Sequence, residues 1–269
     1  MSVQKLAIIG GGQMGRALVG GIVASEVISA DQVILVEPDA ASRKWWANQH
    51  PAVKIADLVA AVAECDAVLL AVKPNVLMSV IEEEGAKWQN KLVISIAAGI
   101  GLDDLCEALG HTRVARVMPN TPSLVRQAAS GYCCGTDVSP EDRAWIQAVL
   151  DSVGLAVEVT DSQMDAVTGL SGSGPAYICI VIEALADGGV LAGLPRPLAM
   201  KLATQTVLGT ATMIAQTHCH PSELKDAVAS PGGTTIEAIS VLEQNGIRGA
   251  LIEAVAASAE RSREMGKKG

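Results

Sequence analysis

The chain has 269 residues, 49% hydrophobic and 18% charged, with a formal net charge of −9. That length and apolar content predict a globular protein with room for two cores, and the acidic balance offers no electrostatic footprint for nucleic acid or anionic lipid. Six cysteines without a C-x-x-C pair read as reduced thiols buried in apolar runs of a cytoplasmic protein, and the absence of Phe leaves Ala, Val, Leu, Ile and Met to build the core.

Lys5 followed by apolar residues imitates a leader peptide, but the glycine run and Arg16 interrupt it, so no leader is expected. Apolar runs at 6–9, 33–36, 67–72, 92–96 and 113–118 predict buried strands, with amphipathic helices such as 40–49 and 75–84 between them. The alternation predicts an α/β fold on a doubly wound parallel sheet. Runs at 132–135 and 155–159 can add edge strands around a helix at 140–152. From Asp161 the strand signals stop. Ala-rich helices are predicted over 175–193, 197–216, 235–245 and 248–265, punctuated by Gly-Leu-Pro at 193–195 and His-Pro at 220–221. The division is therefore 1–160 for the sheet domain and 161–269 for an all-helical one, with 266–269 expected to fray. The apolar run 175–195 carries Glu183 and Asp187, so no membrane span is expected.

Gly10-Gly11-Gly12-Gln13-Met14-Gly15 satisfies G-x-G-x-x-G directly after a strand and before a helix. Gly10 permits the tight turn, Gly12 lets a pyrophosphate approach the backbone, and Gly15 lets helix and strand pack closely. The helix start supplies amide donors for phosphates. Ile9, Gly10, Gly11, Gly12, Gln13 and Met14 are accordingly read as cofactor-binding. Glu37 ends the second strand, where an acid commonly binds the ribose hydroxyls of NAD. A solvated strand end is the competing reading. Arg43 and Lys44 are the nearby cations that could answer a 2′-phosphate.

Ligands of open α/β sheets lie outside the carboxyl ends of the strands. Three turns fall there: Ala71-Val72-Lys73-Pro74, Ser95-Ile96-Ala97-Ala98-Gly99 and Met118-Pro119-Asn120-Thr121-Pro122. Ala71, Val72, Lys73, Pro74, Ile96, Ala97, Ala98 and Asn120 join the cofactor set. In the helical half, Ser230-Pro231-Gly232-Gly233-Thr234-Thr235 bares backbone at a helix start, an anion cradle sized for a carboxylate. His218-Cys219-His220 has no further ligand cluster beside it, so no metal is expected.

Segments 10–15, 71–74, 95–99, 118–122 and 170–177, with Lys225-Asp226 and 230–235, are similar along the whole chain to the pyrroline-5-carboxylate reductase family. The Pro-Gly-Gly-Thr-Thr segment is highly specific to it. The resemblance implies a Rossmann domain followed by a helical dimerisation domain. It implies reduction of 1-pyrroline-5-carboxylate to L-proline, the last step of proline biosynthesis, with NADPH or NADH. Ser230, Gly232, Gly233, Thr234 and Thr235 are implied to bind the substrate, with Thr235 near the imine nitrogen as the catalytic residue. The implied assembly is a homodimer, with a decamer of dimers as a further stage, in which the 231–235 turn of one subunit meets the nicotinamide of the other. The sequence departs from many relatives at Glu37, where they carry a Ser suited to a 2′-phosphate. It also departs at Asp57 and Leu58, where an Asn is usual, at Ala227 and at His218. A hydroxyacid dehydrogenase of the same plan and a non-enzymatic dinucleotide sensor are the alternatives. The segment 168–189 lacks the Lys or His that reduction of a ketone to an alkoxide needs. A sensor has no use for the second-half cradle.

Overall fold

The structure, a computed structural model, describes residues 3–266. Eight strands form one sheet: β1 (Leu6–Ile9), β2 (Val33–Val36), β3 (Lys54–Ile55), β4 (Ala67–Leu70), β5 (Leu92–Ser95), β6 (Val114–Met118), β7 (Ala128–Cys134) and β8 (Gly154–Glu158). Their order is β3-β2-β1-β4-β5-β6-β7-β8. The first six run parallel, in the order of a doubly wound dinucleotide fold. β1 pairs with both β2 and β4, Leu6 opposite Val33 on one side and Ala67 on the other. The order reverses there, which opens a crevice at the strands' carboxyl ends.

Helices cover both faces: α1 (Gln13–Ala24), α2 (Ala40–Gln49), α3 (Leu58–Glu64), α4 (Pro74–Glu84), α5 (Leu102–Leu109), α6 (Pro140–Asp151) and the short α7 (Met164–Val167). Alternation splits β1 between two cores. Leu6 and Ile8 enter one layer, Ala7 and Ile9 the other. The expectation of an aliphatic core needs one amendment. Trp46 and Trp88 are among the largest fully buried side chains, one in each layer. Their indole N–H groups are satisfied by the carbonyls of Gly11 at 2.9 Å and Ile81 at 2.7 Å.

Two departures follow from chain length. β7 begins at Ala128, four residues before its apolar run, and lies antiparallel to β6, with Met118 opposite Gly131. The connection between them is a single short turn, Thr121–Val125, too brief for the crossover that a parallel neighbour requires. β8 then returns parallel to β7 over α6.

Helices α8 (Gly174–Leu191), α9 (Arg196–Thr217), α10 (Pro221–Ala227), α11 (Thr234–Gln244) and α12 (Ile247–Gly266) complete the chain. The compact units are residues 3–173 with 256–266, and residues 174–255. α8 and α9 pack through Ala186, Ala199 and Ala203, the buried apolar residues of this unit. Larger side chains face outward: Ile180 is 66% exposed, Leu191 91%, Leu208 57% and Ile252 69%. The helical run Asp161–Leu191 is long and apolar enough to cross a membrane by length and composition. The six cysteines are all free, as expected, but only Cys65 and Cys133 are buried; Cys106, Cys134 and Cys219 are partly buried and Cys179 on α8 is exposed. Gly266, expected to fray, is still the last residue of α12, and 267–269 lie outside the described residues.

Candidate active site

The glycine loop is held by side chains from α1 and α2. Gly10 takes φ +104, and a Cβ there would sit 2.6 Å from the Ala71 carbonyl oxygen. A Cβ on Gly15 would sit 2.5 Å from the Gly10 carbonyl oxygen. Both glycines are therefore demanded by the protein's own packing. Gly12 is different, because a Cβ there meets nothing within 4 Å. Its missing side chain leaves open space at the start of α1, whose first amides have no side-chain cap. That vacancy and those amides fit a dinucleotide pyrophosphate.

The peptide at Gly11 is fixed from both ends. Its N–H donates to Glu37 Oε2 at 2.8 Å. Its carbonyl accepts from Arg16 Nε at 3.1 Å, Ser42 Oγ at 3.0 Å and Trp46 Nε1 at 2.9 Å. Ser42 and Trp46 lie one turn apart on the buried face of α2, so one helix supplies two of the three donors. Glu37 also accepts from Asp39 N through Oε1 at 2.9 Å. It is a half-buried acid turned onto the loop, not a solvated strand end. Arg43 donates to the carbonyls of Glu37 and Pro38 at 3.0 and 2.8 Å, which sets one guanidinium at the same strand end.

The other expected cofactor residues gather at the same sheet edge. Ile9 closes β1; Ala71 and Val72 follow β4, with Ala71 N donating to Ile9 O at 2.8 Å. Lys73 is exposed and precedes Pro74, the first residue of α4. Ile96, Ala97 and Ala98 follow β5, and Ala97 is 4% exposed. Asn120 follows β6, but its side chain is spent inside the protein. Nδ2 donates to Ser171 O and Oδ1 accepts from Ala129 N, both at 3.0 Å. It thereby pins the π-helical turn Thr168–Gly172 to the sheet. Gly172 lies against Met118 at that contact: a Cβ there would sit 2.6 Å from Met118 Cε, so the end of the methionine side chain would have to shift. Below this edge, Asp161 accepts from the buried Arg116 at 2.6 Å and from Leu102 N at 3.4 Å. Burial first, then the neighbouring Asp161 carboxylate, pushes the Cys133 thiol up to about 12, which leaves it protonated and inert at neutral pH.

The expected substrate residues lie in the other compact unit, on the turn before α11. Gly232 takes φ +64, and Gly233 caps α11 without a side chain. Ser230 O accepts from Gly233 N at 3.0 Å, closing the turn. A Cβ on Gly233 would meet Ser230 Oγ, so any other residue there would require the serine side chain to turn away. The first amides of α11 are the orphan donors of a helix start. Among the described residues, the Thr234 and Thr235 hydroxyls make no side-chain hydrogen bond. His218 ends α9 in the left-handed region and His220 caps α10 by accepting from Ser222 N at 3.2 Å, so both histidines serve helix ends.

A family model for pyrroline-5-carboxylate reductase dimerisation matches residues 161–265, and one for NADP oxidoreductases, coenzyme F420-dependent, matches residues 5–99. A pyrroline-5-carboxylate reductase from Synechocystis is 46% identical over 100% of both chains. The chain belongs to the pyrroline-5-carboxylate reductase family. Two solved structures agree. The Coxiella burnetii pyrroline-5-carboxylate reductase has a TM-score of 0.91 at 33% identity, covering 97% of this chain and 98% of its own. The Plasmodium falciparum pyrroline carboxylate reductase, determined with NADP bound, has a TM-score of 0.87 at 32% identity, covering 98% of each chain.

Reading the sequence for this family's motifs misses Arg16, Ser42 and Trp46. The only sequence signal for the last two is their spacing on α2, which puts Ser42 and Trp46 on one face. Nothing in the sequence indicates that this face meets the glycine loop.

Proposed function

We propose that the chain reduces 1-pyrroline-5-carboxylate to L-proline with NADPH or NADH. The carrying observation is the turn before α11, where Gly232 and Gly233 bare a helix start beside two hydroxyls in a chain that also has a dinucleotide loop. Open amides at a helix start suit the substrate carboxylate. The nicotinamide supplies the hydride when bound. A protonated cyclic imine already carries its charge, so the protein need not deliver a proton to an alkoxide. Ser230, Gly232, Gly233 and Thr234 hold the carboxylate end. Thr235 holds the imine nitrogen, and the accurate placement of the ring supplies most of the acceleration.

In this reading residues 1–160 bind the dinucleotide through the loop, Glu37 and the turns at 71–74 and 96–98. Residues 161–269 bind substrate and form the homodimer. The apolar side chains exposed on α8, α9 and α12 support that assembly, since water-facing groups of this size call for a partner surface. The protein works in the cytoplasm, away from membranes and nucleic acid, and a decamer of such dimers is the further stage of assembly. Its charge of −9 supports the separation from polyanions.

The test is a comparison of two assays on the purified protein: oxidation of NADPH and of NADH with 1-pyrroline-5-carboxylate, and reduction of NAD⁺ with a 2-hydroxy acid. Turnover in the first alone is expected. Turnover in the second alone would reassign the chain to a hydroxyacid dehydrogenase, and turnover in neither to a dinucleotide sensor.

A further inference from the structure

A cavity of about 420 Å³ opens in the first unit between α1, α2 and the turn Thr121–Val125. Of the residues assigned to the cofactor, only Gln13 lines it. Two arginines, Arg16 and Arg126, line it. Arg16 lies with Cζ 4.1 Å from the Trp45 ring centroid, and Nε and Nη2 are held by Gly11 O and Ser42 Oγ. Arg126 takes a left-handed backbone, φ +57, and its main-chain N–H donates to Ser123 O at 3.1 Å. Arg113, Arg116 and Arg143 each reach a carboxylate. Arg16 and Arg126 reach none among the described residues, although the chain carries a net charge of −9. Two like charges lining one cavity repel, and an anion between them reverses the sign of the interaction. Trp45 and Leu124 add apolar walls.

We propose that this cavity binds a small anion bearing a carboxylate or phosphate group, with Arg126 as its main ligand and Arg16 as the second. The bound anion is an effector, not a reactant. It ties the turn Thr121–Val125 to α1. That turn hangs from Asn120, whose carbonyl accepts from Ser123 N at 3.1 Å and Ser123 Oγ at 2.6 Å. Asn120 in turn holds the π-helical turn, so the anion steadies the loop that ends β6. The site does not depend on the reductase reading.

Calorimetry on the full-length protein tests it. NADP affinity is measured first. Inorganic phosphate and, separately, malonate are then titrated into the NADP-saturated protein, whose phosphate loop is filled. At least one of the two anions is expected to bind, and which one does fixes the head group. Arg126→Asn keeps a residue that tolerates the left-handed region. It should weaken that binding about tenfold, the loss of a charge-assisted contact, with NADP affinity unchanged. Leu124→Asp, at a position 54% exposed, places a carboxylate on the wall and should weaken the anion likewise without depending on the Arg126 turn. Absence of binding by both anions in the NADP-loaded protein, or equal binding in both variants, would overturn the proposal.

Discussion

Three residues carry the sharpest consequences. Thr235 is half-buried at the start of α11 with its hydroxyl uncommitted. Thr235→Val keeps its shape and removes a contact worth about 1–3 kcal/mol, so kcat/KM should fall roughly tenfold to a hundredfold with an unchanged melting curve. An unaltered kcat/KM takes Thr235 out of the mechanism. Glu37 faces the loop and bonds Gly11 N, so its carboxylate disfavours a 2′-phosphate and NADH should rival or beat NADPH. Glu37→Ser should move preference toward NADPH. A wild type that strongly prefers NADPH, with no change in the variant, would show that Glu37 does not face the ribose. Asn120 is 7% exposed with both amide ends used. Asn120→Ala should cost about 1–3 kcal/mol of stability yet leave NADPH affinity unaltered. Weakened cofactor binding without loss of stability is the opposite result, and it would make Asn120 a direct contact.

At the scale of elements, the glycine loop separates architecture from function. Gly10→Ala forces a left-handed alanine against the Ala71 carbonyl and should lower stability by about 1–3 kcal/mol. Gly12→Ala adds its methyl to open space on an extended backbone, φ −70, so unfolding should be unchanged while cofactor affinity drops. Equal losses of stability in the two variants would contradict the division. The loop was legible in the sequence because glycine spacing, strand and helix are all local. So were β1 and β2, whose apolar runs end where their strands end. β7 was legible only from Tyr132, because Ala128, Ala129, Ser130 and Gly131 carry no branched or aromatic signal and are strand only by pairing with β6 and β8. α10 was hidden by His-Pro, read as punctuation, although Pro221 takes the first helical position that proline favours. The lock on Gly11 and the clamp at Asn120 were not legible, since each joins residues whose proximity only the packed fold creates.

For the whole molecule, the second unit cannot account for its own surface. Its buried apolar side chains are alanines, while Leu191, Ile252 and Ile180 lie largely in solvent. An isolated chain of this kind is short of core, and two copies interleaving these helices would bury the remainder, as obligate dimers do. Sedimentation should find a dimer or a larger assembly at all working concentrations, and a stable, active monomer would contradict that expectation. If the 231–235 turn of one subunit serves the dinucleotide of the other, mixing a Gly12→Asp variant with a Thr235→Val variant should restore activity after subunit exchange. Each heterodimer then holds one site intact on both sides. Verified heterodimers without recovered activity would leave the dimer standing and remove the shared site. The central claim, hydride delivery to a cyclic imine, is tested most directly by isotope transfer. The protein is incubated with 1-pyrroline-5-carboxylate and NADPH or NADH deuterated at the transferring position of the nicotinamide, and the product is analysed by mass spectrometry and NMR. The account predicts L-proline carrying one deuterium at C5, the former imine carbon. Cofactor oxidation that leaves proline unlabelled, or no proline at all, would contradict it.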